Sequence, residues 1–155
     1  MRLSEADGRP VVSRASAETL GALKHVVIDV PARRIVALHV AGGKRHARLV
    51  DWASITGFGP DGIVVEDDAA ARPPADDRES AVAAGRLDLD GRLLLSDAGD
   101  ALGAVTDVVF DEGTGAVTAV EAGELSVDAA RLRAIGPYCV LVRAAPDDPP
   151  APAPA

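Results

Sequence analysis

Between Leu20 and Val30 the chain reads LGALKHVVIDV, an apolar run broken by Lys24, His25 and Asp29. Between Leu102 and Asp111 it reads LGAVTDVVFD. Both runs are rich in β-branched residues and read as strands, because branched side chains fit a pleated surface. RIVALHV (34–40) and AVTAVEA (116–122) follow after short turns and predict the strand that pairs with each. DEGTG, from Asp111 to Gly115, is a hairpin connection in which glycine supplies a positive φ. DVPARR stands in its place in the first copy, has no glycine, and predicts a different turn type. AGGKRHARLV predicts a Gly-Gly hairpin into a further strand, and AGELSV is its shortened counterpart. DWASI and DAARL each set Asp ahead of a helix-permissive tetrapeptide. They predict one turn of 3₁₀ or α-helix capped by Asp51 and Asp128, whose carboxylates can accept the first free amides. GIVVE and CVLVR close the two copies as buried strands.

The parallel between the copies holds along the chain. At an offset of 82, residues 11–40 fall on 93–122 without a gap, and Leu20, Gly21 and Ala22 meet Leu102, Gly103 and Ala104. Beyond a five-residue loss the offset is 77, and GPDGIVV from Gly59 meets GPYCVLV from Gly136. The chain is a tandem duplication, and an internal repeat governs the fold it predicts. Each copy holds five short strands and a helical turn. A sheet that small hides its edges by closing or pairing, which predicts an all-β fold of two small tandem barrels, 9–66 and 86–144. Units below about 70 residues are marginal alone, so the two are expected to pack together. Residues 67–85, rich in Ala, Asp and Pro, have linker composition, and the Pro-Ala tail 145–155 is expected to be disordered or extended. Gly21 and Gly103 are expected where a strand bends or another backbone comes close.

Composition narrows the function. The 155 residues carry one Trp, one Tyr, two Phe and one Cys, with a net charge of −8. So few rings supply no stacking platform for single-stranded nucleic acid, and a single Cys139 allows no internal disulfide. The start has no signal-peptide pattern and no run is long enough for a membrane helix, so a cytoplasmic protein without membrane insertion is expected. Up to Glu66 there are nine basic and seven acidic residues; after it, seven and seventeen. That asymmetry can steer a partner.

The pattern L-G-x-[VL]-x-x-V-V-[FIL]-D, a second strand, an Asp-led turn and a G-P/D-x-x-V-x-V strand resembles the PRC-barrel family. The residues that carry it are Leu20-Gly21, Val26 to Asp29 and Gly59 to Val65, with Leu102-Gly103, Val108 to Asp111 and Gly136 to Val142 in the second copy. The family includes the cytoplasmic barrel of the photosynthetic reaction-centre H subunit, and a related barrel ends a ribosome-maturation factor. The resemblance implies a barrel and a protein-binding adaptor rather than a catalyst. A peripheral electron-transfer subunit is a further role that the family suggests.

Candidate chemistry is sparse. GFGPDG, Gly57 to Gly62, matches a dinucleotide fingerprint in letters, but a helical turn precedes it and a strand follows, so a tight turn is predicted. His25 and His39 fall where the second copy has Asp107 and Glu121, which predicts an outward, polar face. His46 lies in a loop, and no ligand-spaced cluster accompanies the three histidines, so no metal or other cofactor is expected. No nucleophile elbow occurs, and Cys139 reads as a small apolar filler. Asp29 and Asp111 are expected to accept turn amides. GGKRHAR, with Lys44, Arg45 and Arg48, could join Arg33 and Arg34 in a positive rim. Such a rim would bind an acidic protein surface or, alternatively, RNA or the ribosome. Trp52 is expected to plug the first barrel or the seam, and is a natural anchor if exposed. No catalytic set is expected.

Overall fold

A computed structural model describes residues 1–42 and 48–149. Unit one contains α1 (Leu3–Ala6), β1 (Pro10–Ser13), β2 (Thr19–Asp29), β3 (Arg34–Ala41), β4 (Arg48–Asp51), β5 (Ile55–Gly59) and β6 (Gly62–Val65). Then come β7 (Ala71–Arg72) and α2 (Asp77–Ala83). Unit two contains β8 (Leu93–Ser96), β9 (Ala101–Ala104), β10 (Asp107–Phe110), β11 (Val117–Ala122), β12 (Leu125–Asp128), β13 (Leu132–Ile135) and β14 (Cys139–Val142). The fold is all-β in two tandem units, as the pattern predicts. Both Asp-led segments are 3₁₀ turns, Trp52–Ser54 and Ala129–Arg131. Asp128 caps its turn by accepting from the Ala130 amide at 2.8 Å, whereas Asp51 makes no cap and pairs with Arg72.

The sheets repeat one order. Unit one is a seven-stranded sheet, β5-β6-β1-β2-β3-β4-β7. Unit two is split into β13-β14-β8-β9 and β10-β11-β12. Reading β9 and β10 as one broken strand restores the order of unit one. The break falls at Val105 and Thr106, opposite Leu23 to His25, where β2 survives as a single strand only through a register shift. An extra residue there bends a strand sharply. Neither unit closes its ladder into a barrel: β5 and β7 are free edges in unit one, and two separate ladders make up unit two.

The register amends the alignment in three places. Val11 pairs with Gly21, and Leu94 with Gly103, so the first strands lie 83 apart. The gapless match over residues 11–40 is therefore off by one at β1, because Asp97–Asp100 connects in one residue fewer than Arg14–Glu18. The repeat also begins earlier than residue 9. Asp7-Gly8-Arg9 recurs as Asp90-Gly91-Arg92. The Gly8 amide donates to Leu23 O at 2.8 Å and the Gly91 amide to the equivalent Val105 O at 2.7 Å. Finally, the turn after Asp29 has the same hand as its counterpart: Arg33 takes φ +52° where Gly115 takes +79°. A non-glycine residue there costs about 1–2 kcal/mol, so the absence of glycine did not change the turn.

The leaders of the two units are exchanged. Residues 1–4 precede unit one but lie on unit two: Met1 O accepts from the Phe110 amide at 2.9 Å, and Arg2 bridges Val109. Residues 77–88 precede unit two but lie on unit one. There α2 buries Val82 against Val27, Ala37 and Leu49 on the outer face of the sheet. Segment 67–85, which has the composition of a linker, is thus built into unit one. Asp76 caps α2 by accepting from the Glu79 amide at 2.7 Å. Glu79 in turn accepts from Ala75 N at 2.7 Å and from Arg72 Nη1 and Nη2 at 2.8 and 2.7 Å. Arg72 also grips Asp51, tying helix, edge strand and 3₁₀ turn together.

One apolar core runs through both units, from Val11, Ile35 and Leu38 to Leu94, Phe110 and Val127. At the seam two equivalent segments meet about a local two-fold. The Ile35 amide donates to Gly115 O at 2.7 Å and the Val117 amide to Arg33 O at 2.8 Å, each residue facing the counterpart of its neighbour. Trp52 lies there half-buried, stacked on Phe58 with centroids 5.6 Å apart and edge-on to Phe110 at 6.4 Å.

Candidate functional site

A cleft of about 320 Å³ opens between the units. Its walls are equivalent stretches: Leu23 to Val26 of β2 on one side, and Val105 to Val108 on the other. The two leaders complete it with Leu3, Ser4 and Asp7 and with Leu87 to Asp90. The floor is apolar, and its leucines and valines belong to the common core. The polar rim has diverged. Unit one presents Lys24 and His25 where unit two presents Thr106 and Asp107.

Each polar pair sits across two neighbouring strands. His25 pairs with His39, and Asp107 with Glu121. In unit two the carboxylates are satisfied by the exchanged leader. Asp107 accepts from the Ser4 amide at 3.1 Å and from the Ser4 hydroxyl, and Glu121 accepts from Arg2 Nε at 2.7 Å and Nη2 at 3.2 Å. Those bonds hold Glu121 below the usual carboxylate range. In unit one, His25 Nδ1 lies 2.6 Å from Asp88 Oδ1 of the other leader. His25 then stacks on His39, with centroids 5.2 Å apart and rings within 6° of parallel.

His39 departs from expectation. The second copy's acids predict an outward position, but the ring is 2% exposed. Bulk explains the difference: α2 and its continuation roof this face of unit one, and His25 covers the ring. Among the described residues neither ring nitrogen has a hydrogen-bond partner. Burial pushes the ring's pKa down from the ordinary histidine value, and His25 and then Lys24 add to the effect. Parallel stacked rings do not converge on a point. Among the described residues no three His, Cys, Asp or Glu side chains are grouped to hold a metal ion.

Of the expected basic rim, the described residues Arg33 and Arg34 lie apart from Arg48. Arg33 and Arg34 sit at the start of β3, and Arg48 pairs with Val40 near its other end. Six residues of strand separate those ends, roughly 20 Å at about 3.3 Å per residue. Arg33 and Arg34 also face the seam, donating to Ala130 O at 3.1 Å and Thr114 O at 3.0 Å. Lys44, Arg45 and His46 lie outside the described residues. GFGPDG is the β5–β6 hairpin turn, with Gly59 paired to Gly62. Asp29 accepts the Ala32 amide at 3.2 Å and Asp111 the Gly113 amide at 2.7 Å, so both serve their turns. Cys139 is half-buried in β14.

The cleft residues Asp7, Asp88 and Asp90 escaped sequence reasoning. The recurrence of Asp-Gly-Arg was a signal for the leaders; nothing local told that they would be exchanged. Among the described residues no helix is long and apolar enough to cross a membrane. A search of the curated proteins finds no match. The family model described as PRC-barrel domain matches residues 1–72 and 87–139, the two units with the first leader included. This chain belongs to the PRC-barrel domain family.

Proposed function

We propose that the chain is a non-catalytic protein-interaction module of adaptor type, and that the cleft between its units receives a partner segment carrying a basic side chain. The observation that supports this is the rim of the cleft. Asp7, Asp88, Asp90 and Asp107 stand around an apolar floor with Lys24 as the one lysine among them. Asp107 and Asp88 are engaged internally. Asp7 and Asp90 are exposed and make no side-chain hydrogen bond or ion pair among the described residues, so a cation seated over the floor would meet them without displacing such a contact. Apolar floors with a few fixed polar groups are the usual form of a binding site.

A photo-crosslinking residue at Thr106, with a second at Tyr138 outside the cleft as control, tests the reading in native cells with and without RNase. A protein crosslinked from Thr106, not from Tyr138, and lost when Asp7 and Asp90 are changed to Lys supports it. Crosslinks indifferent to those charges would overturn it. Crosslinks that vanish with RNase would transfer the role to RNA.

A further inference from the structure

The two leaders are held differently. Residues 1–4 are fixed to unit two by backbone hydrogen bonds at Met1 and Phe110. Residues 86–90 form no backbone hydrogen bond to β2; their polar contact with it is Asp88 to His25. Beneath His25 lies the buried, unpartnered His39. We propose that the His25–His39 stack and its contact with Asp88 form a proton-operated latch. Protonation of His39 releases residues 84–90 from unit one and opens that wall of the cleft. The functional meaning of the latch rests on the cleft being the binding site.

The argument begins with what faces His39. Strand β2 contributes Lys24 and His25, the two groups whose charge bears on it. Strand β4 sets Leu49 opposite, with Arg48 its neighbouring charge. Helix α2 turns Val82 to this face, while its Arg78 donates to Ile28 O and its Glu79 holds Arg72. The leader adds Asp88, which reaches His25 and not His39. No carboxylate or carbonyl therefore meets a proton on His39, and burial opposes the charge.

The ring can accept a proton comfortably only where water reaches it. Water reaches it when His25 swings away, and that movement breaks the contact with Asp88. A protonated His25 draws Asp88 more strongly, which works against release. That attraction is screened, because Asp88 is 51% exposed, whereas nothing screens a charge on His39. The open form thus gains as pH falls below about 6.5, by at most about tenfold per pH unit for one proton.

Hydrogen–deuterium exchange of the whole protein, corrected for the intrinsic effect of pH, tests the latch without any partner. Between about pH 6.5 and about pH 5.5, opening of residues 84–90 is expected to rise by up to about fivefold while β8 and β14 stay protected. His39→Phe keeps a ring without a proton site and is expected to flatten the response. His39→Leu serves if that variant does not fold. Asp88→Asn is expected to raise exchange of 84–90 already at neutral pH. A flat wild-type profile, an undiminished response in both His39 variants, or opening of the whole chain together would overturn the proposal. Those results leave the crosslinking test of the cleft unaffected. A working latch with no cleft-dependent crosslink would sink the binding reading alone.

Discussion

The same two register positions are filled by His25 and His39 in unit one and by Asp107 and Glu121 in unit two. A leader covers both pairs, yet the solutions are opposite. The acids are met by donors from Arg2 and Ser4. The histidines keep one ring buried and without a partner, under a neighbour held by a single carboxylate. Duplication preserved the backbone frame and allowed the two halves of one cleft to specialise. A polar pair is cheap to bury when its cover brings donors, and sensitive to conditions when it does not.

The comparison breaks most sharply at the paired glycines. Gly21 and Gly103 have φ of +137° and +134°, a region that disfavours any side chain. A Cβ at Gly21 would lie 2.5 Å from Ala41 O, whereas at Gly103 the nearest atom is Ala122 Cβ at 3.5 Å. Gly21→Val is expected to destabilise by more than about 4 kcal/mol, and Gly103→Val by about 1–3 kcal/mol. Thermal and denaturant unfolding check both, and equal losses would mean that the closeness at Ala41 is not what constrains Gly21.

The seam offers the next largest contrast. A Cβ on Gly115 would meet Ile35 O at 2.9 Å and Trp52 at 3.0 Å. Gly115→Ala is expected to cost about 1–3 kcal/mol and to change Trp52 fluorescence. The reverse exchange, Arg33→Gly, relieves its positive φ but loses the bond to Ala130 O, and is expected to change stability by less than about 1 kcal/mol.

Titration sharpens the contrast between the pairs. The pKa of His39 is lowered in the folded chain, so the unfolded chain binds that proton more readily. Stability is therefore complete above about pH 6.5 and falls as pH drops below it. His39→Phe is expected to remove that slope and, by deleting two unpaired buried nitrogens, to leave stability near neutral pH equal or higher by up to about 1 kcal/mol. Parallel urea melts across this range decide the matter; an unchanged slope would exclude His39 as its source. The smallest effect is expected from Asp88→Ala, about 0–1 kcal/mol, because the lost contact is half exposed.

The duplication, the strand content and both 3₁₀ turns were legible because local rules govern them: branched residues, a capping Asp, a glycine-bearing turn. What escaped was set by distant chain. Arg33 in a left-handed conformation is held by a seam with residues 115–117, invisible in DVPARR. His39 is buried by a roof from residues 77–88, which no window around RIVALHV contains. Segment 67–85 was misleading through its prolines, although Asp76 with Glu79 three residues on is a readable helix start. The candidate site was the least legible part, since four separate stretches of chain compose it.

The exchanged leaders also set a timetable. Ser4 binds Asp107, 103 residues further along, and Met1 binds Phe110 across 109. At a synthesis rate of about 5–20 residues per second, the first leader waits roughly 5–20 s for its docking strand to be made. Until α2 emerges, partway through that interval, unit one lacks the roof that Val82 will provide. The nascent chain therefore passes through a window in which Val27, Ala37 and Leu49 face water, and a chaperone that recognises short apolar strands would find its target there.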